Sequence, residues 1–229
     1  MQNPAAKNRV KRVLQSVLPT TLPPLIVASM GRSGSTLVWN VLRQAMAEVR
    51  FPRPLYAHGL RLVSDQAWDL DRTHLASGVV YKTHGLAREL PDCSGAKVVF
   101  LFGSATDAAL SVLACRDRYG AHWISQHFEH LRADGPFEDL GRRDVLRFGE
   151  QLDGWIAKSG THRLILHYDA LWDHMQTLSN FAGVPVRLPP RRPRSGSTSA
   201  DAGTRARFAE TYAALDARIA SLPVCLELQ

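Results

Sequence analysis

Apolar residues fall along this chain in two kinds of cluster. Short unbroken runs alternate with longer stretches in which apolar positions recur every three or four residues, and the alternation predicts strands that feed helices. The first run, Leu25-Ile26-Val27-Ala28-Ser29, is short and partly β-branched, as a strand buried on both faces is. From Ser35 onward Leu37, Val38, Val41, Leu42, Ala45, Met46 and Val49 recur at helical spacing, which predicts an amphipathic helix. Further strands are predicted over Val79 to His84, 97–103 and 162–168. Ser104 to Asp107 reads as a capped helix start leading into Ala108 to Ala114. Residues 116–160 read as a helical stretch, Asp169 to Ala182 as a helix closed by Gly183, and about 202–222 as a final helix carrying Phe208, Tyr212, Leu215, Ile219 and Leu222. The irregular pattern of Arg50 to Gly78 predicts a loop followed by a helix or two. Val184 to Ala202, broken by Pro185, Pro189, Pro190 and Pro193 and carrying Arg187, Arg191, Arg192 and Arg194, predicts a flexible basic loop. The fold class that follows is α/β: three layers, α/β/α, with a mainly parallel central sheet and a strand-loop-helix unit near the N-terminus. Residues 25–229 are predicted to form a single domain behind a basic extension, residues 1–24.

The loop of that first unit is Met30-Gly31-Arg32-Ser33-Gly34-Ser35-Thr36. Its glycines let the backbone curl so that N–H groups converge, the helix start adds partial positive charge, and Arg32 adds a full one; a phosphate or sulfate group suits such a loop. A plain glycine turn between core elements would account for the glycines, but not for a cation and three hydroxyls within the same few residues. The loop does not satisfy Gly-x-x-x-x-Gly-Lys-Ser/Thr, the signature of nucleotide triphosphate loops.

Composition narrows the ligand class without choosing within it. The chain has 229 residues, and 28 Lys+Arg against 21 Asp+Glu give a net charge of +7, which favours anionic ligands or surfaces. The basic residues form no continuous patch interleaved with aromatics, so nucleic acid is not an expected partner. Cys93, Cys115 and Cys225 are odd in number and widely spaced, implying neither a disulfide framework nor a zinc site. A reduced, cytoplasmic setting is expected, with no signal-peptide core and no membrane span. Lys7, Arg9, Lys11 and Arg12 interleave with Val10, Val13, Leu14, Val17 and Leu18; this is compatible with weak peripheral contact with an anionic membrane, and packing on the chain's own domain is the preferred reading. His127 and His130 lack a third ligand at suitable spacing, so no metal site is expected; the region around them reads as a cover for an acceptor pocket or as ordinary surface.

The second predicted strand ends in Lys82-Thr83-His84. Ligands of open α/β sheets lie beyond the carboxyl ends of the strands, which places Lys82 and His84 beside the loop. Gly31-Arg32-Ser33-Gly34-Ser35-Thr36 resembles the 5′-phosphosulfate loop of sulfotransferases that use 3′-phosphoadenosine-5′-phosphosulfate (PAPS), where a Lys or Arg precedes Ser-Gly-Thr/Ser-Thr. Lys82-Thr83-His84 is similar to the Lys-Thr-His of the cytosolic members. Leu166-His167-Tyr168-Asp169-Ala170-Leu171 resembles their structural Leu-Arg-Tyr-Glu-Asp-Leu. The resemblance covers residues 25 to about 215.

It implies that Gly31, Arg32, Ser33, Gly34, Ser35 and Thr36 bind the 5′-phosphosulfate, that Lys82 contacts the sulfonate oxygens, and that His84 is the general base. Arg32 and Lys82 would stabilise charge that develops during an in-line displacement. PAPS would be the cosubstrate and no metal would be needed, since side chains supply the positive charge. The acceptor would be a hydroxyl or amine of a small molecule, glycan or lipid. For the nucleotide 3′-phosphate, Ser111 keeps the family's serine, and Arg194-Ser195-Gly196 falls where the family has Arg-Lys-Gly. Gly103 stands where the family has an arginine. The rival readings are another phosphate-loop enzyme, such as a small-molecule kinase, and a non-catalytic protein with a degenerate nucleotide site.

Overall fold

A computed structural model describes residues 11, 13–15, 18–92, 95–191 and 200–229. Six strands form one sheet in the order β2-β3-β1-β4-β5-β6. The strands are β1 (Leu25–Ser29), β2 (Ser64–Gln66), β3 (Val80–Lys82), β4 (Lys97–Phe102), β5 (His162–His167) and β6 (Cys225–Leu228). β6 pairs antiparallel with β5, and all other pairings are parallel. The helices are α1 (Ser35–Arg50), α2 (Tyr56–Leu62), α3 (Ala105–His130), α4 (Phe148–Ala157), α5 (Met175–Ala182) and α6 (Ala202–Ser221).

All five residues of β1 are buried, because the strand lies between β3 and β4 and has helices on both faces. Leu25 and Val27 point to one face and join Val38, Leu42, Met46, Leu178 and Phe181 of α1 and α5. Ile26 and Ala28 point to the other and join Ala109 of α3, Leu152 and Trp155 of α4, and Tyr212 of α6. Two separate cores on one sheet are what a run without polar alternation requires, and burying each aliphatic side chain contributes about 1.5–3 kcal/mol. The expected three-layer, mainly parallel α/β fold is therefore observed.

Chain order shows why the site lies where it does. From β1 the chain crosses through α1 to β2 and β3 on one side; from β3 it passes to β4 on the other side. This reversal places the crevice of the sheet at the carboxyl end of β1. The loop from Met30 to Gly34, the segment Thr83-His84 and the residues after β4 all open there.

Several boundaries differ from the expectations. Residues 131–147 are not α-helical and hold only a 3-10 turn at Phe137–Asp139: Arg132 adopts a left-handed backbone, φ 56, just past the end of α3, and Arg147, φ 59, directly precedes α4. Inside α3 the helical geometry breaks at Gly120, φ 79. The helix predicted from Asp169 starts only at Met175. Two edge strands, β2 and β6, were not expected. The capped start at Ser104 is present, its hydroxyl accepting from Asp107 N at 3.1 Å. Of the N-terminal segment, Lys11 Nζ donates to the Ser64 carbonyl at 2.9 Å and pairs with Asp65 at 3.1 Å, and Gln15 Nε2 donates to the Leu62 carbonyl at 2.9 Å. These contacts lay Lys11 and Gln15 against the fold. Cys115 and Cys225 are free thiols; Cys93 lies outside the described residues. Among the described residues no helix is long and apolar enough to cross a membrane.

Candidate active site

The loop after β1 is built from backbone conformations that most residues avoid. Gly31 and Gly34 have φ of 85 and 86, and Arg32 between them has φ 53. A left-handed non-glycine residue costs about 1–2 kcal/mol, so Arg32 is held there by its surroundings. Its Nε donates to Ser111 Oγ at 2.9 Å, and its guanidinium lies 5.8 Å from the centre of the Trp123 ring. Ser33 Oγ donates to the Gly31 carbonyl at 3.0 Å, and Gly31 N donates to Ser29 Oγ at 3.3 Å. Gly34 precedes α1, whose first turn has no acidic residue and no side-chain cap. Among the described residues this helix start is left to accept an anion.

Gly34 is fixed by space as well as by backbone. A Cβ there would lie 2.3 Å from Cδ2 of the Tyr168 ring. Gly34→Ala is therefore expected to destabilise the protein by about 2 kcal/mol or more, from the strained φ and the displaced ring. Thermal unfolding checks this; an unchanged midpoint would mean that the loop is not held as described.

Lys82, at the end of β3, donates from Nζ to Thr36 Oγ1 at 2.8 Å, so the cation expected from the strand meets the hydroxyl expected from the loop. Burial and then the charge of Arg32 lower its pKa. His84 is 6% exposed. Its Nδ1 is 3.1 Å from Ser29 Oγ and 3.3 Å from the Ser29 carbonyl. A carbonyl only accepts, so a proton on Nδ1 satisfies it and leaves Nε2 with a free lone pair. Burial first, then His127 and Lys82, push the His84 pKa well below the usual histidine value, which keeps the ring neutral at pH 7. Gln151 Nε2, from α4, donates to the His84 carbonyl at 2.5 Å and fixes the backbone that carries the ring.

The wall beside His84 is aromatic. Trp68 stacks between His84 and His130, with ring centres 5.6 and 3.9 Å away. His127 meets His84 edge to face at 5.7 Å and stacks on Trp123 at 4.6 Å. Arg132 ties this wall together: Nη2 donates to the Trp68 carbonyl at 2.6 Å, and Nε donates to Glu89 at 3.0 Å.

Gly31, Arg32, Ser33, Gly34, Ser35, Thr36, Lys82, His84 and Ser111 are thus gathered at one edge of the sheet. Ser111 is engaged by Arg32 itself. Arg194, Ser195 and Gly196 lie outside the described residues. The start of α3, just after Gly103, is filled by the Asp216 carboxylate, which accepts from Ala105 N at 2.6 Å, Thr106 N at 3.2 Å and Ser104 Oγ at 3.4 Å. Sequence reasoning missed Ser29 and Gln151 as parts of the site. Only Ser29, a hydroxyl ending an apolar run beside the loop, carried a local signal. Among the described residues there is no group of three or more His, Cys, Asp or Glu able to hold a metal ion.

No family model matches the chain, and no curated protein matches it. Among solved structures it is similar to retinol dehydratase in a complex with retinol and PAP, at 15% identity and a TM-score of 0.44, over 76% of this chain and 64% of that one. Retinol dehydratase in complex with androsterone and the inactive cofactor PAP matches at 16% identity and a TM-score of 0.40, over 88% of this chain and 68% of that one. A mouse sulfotransferase complexed with PAP matches at 12% identity and a TM-score of 0.35, over 88% of this chain and 68% of that one. The chain spans 64% of the length of the first of these.

Proposed function

We propose that this chain transfers a sulfonate group from PAPS to a hydroxyl of a small-molecule acceptor. The observation that carries the reading is the convergence of Arg32, Lys82 and the open start of α1 on one loop, beside a neutral histidine whose Nδ1 is already engaged by Ser29. Such a set suits an anion and a proton acceptor acting at one place. When bound, PAPS supplies a sulfonate whose sulfur forms a bond to the acceptor oxygen while its bond to the 5′-phosphate oxygen breaks, the electron pair leaving with adenosine 3′,5′-bisphosphate.

The residues divide the remaining work. His84 takes the acceptor proton on Nε2, and the Ser29 carbonyl on Nδ1 stabilises the imidazolium that results. Arg32, Lys82 and the backbone N–H groups at the start of α1 hold the anionic end and offset the charge that develops there. The acceptor is read as a hydroxyl in preference to an amine, because Arg32 and Lys82 would repel an ammonium group, and the nearby carboxylate of Glu89 is engaged by Arg132.

Gly103 and the Asp216 carboxylate support a second reading, in which a nucleotide is bound without selection for its 3′-phosphate. A thermal-shift panel of adenosine 3′,5′-bisphosphate, AMP, ADP and ATP decides between them, since a ligand at 100 times its dissociation constant stabilises by about 2.7 kcal/mol. The expected result is tightest binding of the bisphosphate. Equal shifts for the bisphosphate and AMP would establish the second reading, and a preference for ATP with Mg²⁺ would point to phosphoryl transfer instead.

A further inference from the structure

His127 is polar, deeply buried and unused in the chemistry above. Its residue is 7% exposed, and its Nε2 has no hydrogen-bond partner among the described residues. Packing alone does not call for the nitrogen: the stack on Trp123 and the edge contact with His84 would be made equally by a phenyl ring. A buried ring nitrogen without a partner is a cost, and it persists where something outside the chain satisfies it.

The surroundings say what that is. Nε2 lies 3.6 Å from the point that a Cβ on Gly31 would occupy, so the nitrogen faces the phosphate loop at a position kept clear by glycine. The charges that act on the ring are those of Arg32 from the loop, Lys82 from β3 and His130 from its own helix. None of these is an anion, and the group missing from the cluster is an acceptor of hydrogen bonds.

We infer that His127 donates a hydrogen bond from Nε2 to a sulfonate oxygen of PAPS held in the loop, a second imidazole of the site with a duty distinct from that of His84. The inference rests on the proposed sulfonate transfer. His84 accepts a proton; His127 gives up none and forms no bond, and it serves as a neutral donor. Burial, followed by the charge of Arg32, holds its pKa at about 3, so the ring is neutral at pH 7.

The test compares wild-type protein, His127→Phe and His127→Gln for binding of PAPS and of adenosine 3′,5′-bisphosphate by calorimetry without acceptor, with thermal midpoints as a check on folding. The phenyl ring keeps the stack and removes the donor, and the amide restores an N–H. Loss of a hydrogen bond to a charged oxygen weakens binding by roughly tenfold or more. His127→Phe should weaken PAPS by that factor and leave the bisphosphate within about twofold, because the bisphosphate has no sulfonate; His127→Gln should recover most of the loss. Equal affinity of wild type and His127→Phe for PAPS, or equal weakening toward both ligands, overturns this inference alone. Wild-type protein that binds neither ligand overturns the sulfotransferase reading and this inference with it.

Discussion

Replacing His84 with alanine is expected to lower kcat by about 10²- to 10⁴-fold, the usual contribution of a general base, equivalent to about 2.7–5.5 kcal/mol of barrier. Bisphosphate affinity should stay nearly unchanged, because on the proposed reading His84 serves the acceptor, its Nδ1 being turned toward Ser29. Ser29→Ala should give a smaller loss in the same direction, since the hydroxyl is removed while the carbonyl remains to hold the ring. The measurement is a steady-state rate with an alcohol acceptor alongside a bisphosphate titration. Full activity in the His84 variant would remove the assigned role, and a parallel loss of nucleotide binding would make the residue structural.

Acid should destabilise the protein strongly, and through the same cluster. His127 has a folded pKa of about 3 against 6.5 for the free side chain. The unfolded chain therefore takes up a proton as pH falls through 6.5, while the folded chain does so only near 3. The stability that His127 contributes as a neutral ring is present above pH 6.5 and is lost as pH falls between those values. The loss is about 2 kcal/mol at pH 5 and about 4 kcal/mol by pH 3. His84, whose pKa is also depressed by burial, adds in the same sense. Against a total stability of about 5–15 kcal/mol this is a large fraction. Urea unfolding at pH 7.5 and pH 5 should show the difference, and His127→Phe should lose part of the acid sensitivity. An identical pH dependence in wild type and variant would mean that His127 is not held neutral by burial.

Those two histidines mark the limit of what the residue pattern reveals. β1, its loop and α1 were legible because three local signals coincide there: an unbroken apolar run, two glycines in six residues, and helical recurrence. The carboxyl end of β3 was legible because Lys82-Thr83-His84 is a local string. His127 and His130 were visible as residues, but nothing within α3 says that it returns to His84; that contact depends on the crossing of α3 over the sheet. Asp216 was less accessible still, since it caps a helix start 112 residues away from Ser104. β2 is three polar residues long and is a strand only because β3 offers a ladder at Ser64 to Gln66. The break in α-helix over 131–147 did carry a signal, Gly135 and Pro136 in succession, which the surrounding helix-forming residues masked.

The starts of the long helices have a consequence for how an anion finds its place on a chain of net charge +7. α3 begins on the carboxylate of Asp216, α4 on that of Asp144, which accepts from Phe148 N and Gly149 N at 3.0 and 2.8 Å, and α6 on that of Asp201, which accepts from Thr204 N at 2.8 Å. Each of these positive poles already has an internal counter-ion, so an arriving phosphate or sulfate meets competition there before it meets attraction. α1 begins beside Arg32 with no acid of its own. On the proposed reading the docking point is selected by exclusion: among the long helices described, three starts are closed by the chain's own carboxylates, and the start of α1 is the one left for an anion.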